Sequence, residues 1–202
     1  MAKEWPEGLV SLSMDGPIWD EFFTVAPLVL VGTRDQNGDY NHAPKHMVLP
    51  LGWDNYFAFV CTPDHATYHN IRREGSFTVT YPRPSQVLLT TLAAAPRLED
   101  DVKVALMALP TFPAQVIDGQ FVKDGYLFLE CALDRVIDAF GRNSLITARI
   151  VAAHVHDVAR RDEDRDDSAL LNEAPLLAYL EPGRFATVAQ TFAFPFPKDF
   201  SR

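Results

Sequence analysis

Two long segments, 126–137 and 145–158, alternate apolar and polar positions with the period of two expected of half-buried strands, and shorter apolar runs elsewhere read as further strands. Residues 28–33 read as a first strand, which ends in Asp35-Gln36-Asn37-Gly38-Asp39, residues that tolerate positive φ or cap themselves. Residues 40–46 return as a short strand, and Pro44, which has no N–H, places that strand at an edge or a bulge. Residues 56–60 are apolar and aromatic enough for a buried strand, and 77–81 form the next, closed by Pro82 and Pro84. Between them Asp64 or Thr67 is the expected cap of a short helix through Arg73, stopped by Gly75. Two polar loops, 41–47 and 62–73, thus each follow a strand.

Beyond Pro84 the period changes. Ser85 is the expected cap of a helix over 86–95, and a second helix is expected over 99–109, ended by Pro110. Strands return at 120–137, broken by a Lys123-Asp124-Gly125 turn, and at 145–158. The charged run 157–167 has almost nothing to bury and reads as a solvated loop. Residues 168–180 read as a short apolar helix or turn, and 185–193 as the last ordered segment. Residues 1–21 form an arm with one short strand at 9–12, and 194–202 a tail. The whole reads as one mainly β domain, 1–202, a barrel with added helices.

Length and composition narrow the classes. A chain of 202 residues suffices for one well-buried core, with 48% hydrophobic and 22% charged residues. The net charge of −9 opposes nucleic acid and anionic membrane. A phosphorylated ligand then needs a local basic pocket, for which Lys45, Arg72 and Arg73 are the candidates. Cys61 and Cys131 lie in apolar runs and read as buried free thiols, which with no secretory pattern points to the cytoplasm. No apolar run approaches the ~20 residues of a membrane span.

The order strand, Asn41-x-Ala43-Pro44, aromatic strand, Thr67-x-x-Asn70-Ile71, Gly75-x-Phe77-x-Val79 resembles the flavin reductase-like family of FMN-binding split barrels. Leu129-Glu130-Cys131, Ala152-Ala153-His154-Val155 and Gly183-Arg184-Phe185-Ala186-Thr187 extend the resemblance over roughly 27–188. The resemblance implies a Greek-key split barrel, FMN (or FAD) as redox group, hydride transfer from NAD(P)H and a homodimer. It implies flavin contacts at Asn41, Ala43, Pro44, Lys45, His46, Met47, Thr62, His65, Thr67, Asn70 and Arg72. Thr67 and Asn70 would donate to phosphate or ribityl hydroxyls; the plainer reading is that Thr67 caps the helix and Asn70 pins a loop. Lys45, His46 and Met47 stand where similar chains carry small hydroxyl residues, and Thr80 replaces a common Asn. Lys45 can meet a phosphate as a point charge.

Rival readings are a flavoprotein electron carrier, a non-catalytic ligand-binding barrel, and a metalloenzyme. The last rests on His42/His46, His65/His69 and His154/His156, spaced to share a face on a strand or helix. No His-Glu-x-x-His, P-loop, Gly-x-Gly-x-x-Gly or nucleophile-elbow motif occurs. No catalytic acid or base is assigned, because a flavin carries its own chemistry.

Overall fold

The computed structural model describes residues 6–96, 106, 108–162 and 164–198. Its centre is a seven-stranded antiparallel sheet in the order β3-β2-β6-β9-β10-β5-β4. The strands are β2 (Val29–Arg34), β3 (Tyr40–Lys45), β4 (Val48–Pro50), β5 (Tyr56–Cys61), β6 (Ser76–Tyr81), β9 (Leu127–Phe140) and β10 (Asn143–Val155). The two edge strands, β3 and β4, are consecutive in sequence and separated by His46 and Met47 alone. That short link joins opposite edges, so the sheet must curl into a split barrel. Three register shifts between β9 and β10 supply local twist for the curl.

The inside of the curl holds the core. Val29, Val31, Phe57, Phe59, Phe77, Val79, Cys131 and Ile146 are almost fully buried there. Phe59 and Phe77 meet edge to face at 5.5 Å between ring centroids. Each such side chain contributes about 1.5–3 kcal/mol by leaving water. The opposite face carries Gly32, Thr78, Thr80 and Glu130, and is covered by a hairpin of β7 (Thr111–Pro113) and β8 (Gln120–Val122). Thr78 donates to the Gln120 carbonyl at 2.6 Å, and Thr80 Oγ1 accepts from Val122 N–H at 3.2 Å.

Gly32 is what lets the hairpin approach. A Cβ there would lie 2.2 Å from Thr78 Oγ1 and 2.8 Å from the Gln120 carbonyl oxygen. Gly32→Ala is therefore expected to destabilise the fold by about 1–3 kcal/mol, seen as a lower urea midpoint.

A satellite sheet, β1-β11-β12, is built from β1 (Thr24–Pro27), β11 (Leu176–Glu181) and β12 (Arg184–Val188). Helices are α1 (Ala66–Glu74), α2 (Val87–Leu92) and α3 (Asp167–Glu173). Gly75 ends α1 as expected, in the left-handed region at φ 69°, with its N–H on the Ile71 carbonyl.

Several expectations need correction. Residues 9–12 form no strand, and none of the described strands pairs with them. Ser85 does not cap a helix: Pro84–Gln86 is a 3-10 turn, and the Gln86 side chain accepts from Arg83 N–H at 2.9 Å. Residues 168–180 divide into α3 and strand β11, whose ladder to β1 and β12 outweighs the helical preference of Leu-Leu-Ala. The charged run, by contrast, is solvent-facing as expected over its described residues, and carries its own ion pairs, including a two-pronged Arg161–Asp167 contact at 2.9 Å. The helix expected over 99–109 lies mostly outside the described residues. No described helix is long and apolar enough to cross a membrane.

Candidate functional site

As an edge strand, β3 leaves one side without a ladder partner among the described residues. The start of α1 and the segment 93–96 beyond α2 stand beside it. Together they enclose a groove of about 650 Å³, lined by Asn41, Ala43, Pro44 and Lys45, by residues 64–67 with His69, and by residues 93–96. Six of the residues named from sequence meet here: Asn41, Ala43, Pro44, Lys45, His65 and Thr67.

The local chain explains how α1 comes to open at the groove. Thr62 Oγ1 accepts from Asp64 N–H at 3.2 Å, and its carbonyl accepts from His65 N–H at 3.1 Å. This turn places His65 at the N-cap with an extended backbone. Neither Asp64 nor Thr67 caps the helix, and no side chain bonds to the first-turn N–H groups from the cap position. The end of α1 that faces the groove is thus its partially positive one.

Lys45 adds a full charge. Its Nζ lies 3.4 Å from His65 Nδ1. Partial burial lowers the His65 pKa, the Lys45 charge lowers it further, and Asp64 opposes both. Asn41, only 4% exposed, has its Oδ1 shut from water with no hydrogen-bond partner among the described residues. A buried acceptor of this kind costs about 1–3 kcal/mol until a donor reaches it. One wall of the groove therefore offers a cation and a helix end, with the buried Asn41 behind them, and the other, Ala93-Ala94-Ala95-Pro96, is apolar. That set suits an anionic group attached to an apolar body, and a flavin phosphate fits it.

The other residues named from sequence lie outside the groove. Asn70 is buried and donates to Thr33 Oγ1 at 3.1 Å and Asp35 Oδ1 at 2.7 Å, while its Oδ1 accepts from Arg73 at 3.2 Å. It pins the β2–β3 turn to α1. Arg72 donates to the Tyr68 hydroxyl at 2.6 Å, and Tyr68 in turn donates to Asp138 at 3.0 Å. Thr62 sets the turn just described. His46 lies against Tyr179, with Nε2 3.1 Å from Glu181 Oε2, within ion-pair range but without hydrogen-bond geometry. Met47 is half-exposed, and its carbonyl accepts from Val60 N–H at 2.9 Å.

The structure also brings forward residues not named from sequence as flavin contacts. His69 lines the groove because it lies one turn beyond His65 on the same helix face, a relation visible in the spacing. The 93–96 wall had no sequence signal beyond its small residues. On the opposite sheet face Glu130, fully buried, accepts backbone N–H from Gln115, Val116 and Ile117 at 2.9, 2.7 and 2.9 Å, and lies 3.2 Å from His154 Nε2. Cys61 and Cys131 are both buried free thiols, and burial pushes both pKa values up. Among the described residues no three His, Cys, Asp or Glu side chains gather as a metal site.

Solved structures share this architecture. Nitrilotriacetate monooxygenase component B from Bacillus cereus is 19% identical, with 94% of this chain and 100% of that one covered and a TM-score of 0.79. The FMN-binding protein from Thermus thermophilus, solved with bound p-hydroxybenzaldehyde, is 19% identical over 93% of this chain and 100% of its own, at 0.74. Flavoredoxin of Desulfovibrio vulgaris is 20% identical over 96% and 97%, at 0.71. These likenesses establish the split-barrel fold. The family model for the flavin reductase like domain matches residues 23–187, most of the chain, and the protein belongs to that family.

Proposed function

We propose that the protein is an FMN-dependent oxidoreductase that draws on NAD(P)H, works as a homodimer and resides in the cytoplasm. The observation that carries this reading is the groove wall on which Lys45 and the start of α1 stand together, with the buried Asn41 behind them. In it, Lys45 and the α1 N–H groups hold the phosphate, Asn41 backs the β3 wall, and Ala43, Pro44, Thr67 and the 93–96 wall exclude water from one side. Asn70, Arg72, Thr62, His46 and Met47 shape and brace these elements. When bound, a flavin supplies two-electron redox chemistry.

FMN is favoured over FAD because a terminal phosphate monoester matches a point charge beside a helix end. The dimer is supported by exposed apolar side chains on the arm, Leu9, Val10 and Met14, and near the C-terminal end, Phe192 and Phe194. The two free cysteines favour a reducing compartment. The test is equilibrium dialysis against FMN and FAD, followed by oxidation of NADH and NADPH by the loaded protein. Retention of FMN with nicotinamide oxidation is expected. Retention without oxidation would make the protein an electron carrier, and retention of neither flavin would overturn the reading. Sedimentation at micromolar concentration should give twice the 22.6 kDa chain mass.

A further inference from the structure

We propose that Lys45 and His65 form a proton-linked phosphate site, at which binding of a phosphate monoester dianion is accompanied by proton uptake on His65. The proposal rests on the flavin reading for its ligand, FMN, and concerns what these two side chains do when that ligand arrives.

The geometry favours one starting state. An ammonium has donors only, so in a hydrogen bond across the 3.4 Å between them Lys45 Nζ donates and His65 Nδ1 accepts. The ring is then neutral, with its proton on Nε2. The charged and titratable groups around it come from several elements. Lys45 is on β3, Asp64 on the adjoining turn, His69 one helical turn on, and Cys61 at the end of β5. Arg142, from the β9–β10 hairpin, lies 3.5 Å from Asp64 and offsets part of its charge. Without a ligand, partial burial and the Lys45 charge together outweigh Asp64 and favour the neutral form.

A phosphate dianion at the start of α1 reverses this field. It draws the ammonium off Nδ1 and favours a second proton on that nitrogen. The proton comes from solvent, and no covalent bond other than N–H forms. Lys45 and His65 change from donor and acceptor to two donors on one anion. Riboflavin has no phosphate and leaves the pair as it was. By linkage, FMN affinity rises as pH falls between the bound and free pKa values of His65, by up to about tenfold per pH unit. Below about pH 6 the phosphate begins to take up a proton of its own.

The experiment is titration calorimetry at pH 7 in phosphate-free buffers of different ionisation enthalpy, with FMN and riboflavin as ligands. Fractional proton uptake is expected with FMN on the wild type, and none with riboflavin or with His65→Asn. Binding of FMN without uptake would overturn the proposal and leave the flavin reading standing. Equal uptake in His65→Asn would assign the proton to the phosphate and also overturn it. Binding of neither flavin would overturn both. If His65→Asn fails to fold, the His65 Cε1–H resonance of the wild type decides: its midpoint should rise on adding FMN, and an unmoved midpoint refutes the proposal.

Discussion

Glu130→Ala is expected to lower the unfolding free energy by about 3–5 kcal/mol, with the urea midpoint falling and its slope unchanged. The truncation leaves the N–H groups of Gln115, Val116 and Ile117 facing a dry gap where a carboxylate stood. Each unmet donor costs about 1–3 kcal/mol. The same carboxylate gives a signed pH dependence. Burial alone would raise its pKa, but the N–H groups of Gln115, Ile117 and Val116, with His154, outweigh burial and hold it below the ordinary glutamate range. Its stabilisation is therefore fully present above that ordinary range and is lost as pH falls through the depressed value. Glu130→Gln, which cannot titrate, should lose less stability than wild type on acidification from pH 6 to pH 3, although it starts less stable.

Lys45→Ala is expected to weaken FMN binding by roughly ten- to hundredfold, about 1.5–3 kcal/mol, and to leave riboflavin unchanged. Added salt should weaken FMN binding to the wild type more than to the variant. Arg72 and Arg73 are the other cations in this stretch, but they are otherwise engaged. Arg72 is held on Tyr68, and Arg73 on Asn70, Glu74 and the Arg34 carbonyl. Arg72→Ala should therefore leave FMN affinity within a factor of about two, inside the context dependence of a surface change. Fluorescence quenching reads all three affinities. Equal weakening of FMN and riboflavin in Lys45→Ala would mean that the β3 edge had been disturbed, and the electrostatic account of Lys45 would fail.

Much of this was legible in the sequence, because the governing signals are local. Alternation marked β9 and β10, continuous apolar runs marked β2 and β5, Pro44 placed β3 at an edge, and Gly75 ended α1 where a left-handed residue was required. The signals that failed were those settled by distant partners. Glu130 reads as one more polar position on an alternating strand, and its ligands lie 13 to 15 residues away and across β10. Asn70 carries donors suited to a phosphate, yet Thr33 and Asp35, more than thirty residues earlier, take them. Strand β11 has helix-forming residues and became a strand only because β1 and β12 flank it. Arg72 looked free in the sequence because Tyr68, one turn earlier, gave no sign that its hydroxyl would hold the guanidinium toward Asp138.

The groove between β3 and the start of α1 is proposed to hold a flavin. An amide-resolved NMR titration of the labelled protein with FMN will show where the ligand sits. Saturable shifts are expected at the amides of residues 41–43, 45, 64–69 and 93–95, with the riboflavin titration sparing those at the start of α1. Saturable shifts confined to another face of the barrel, or none at millimolar FMN, would contradict that placement.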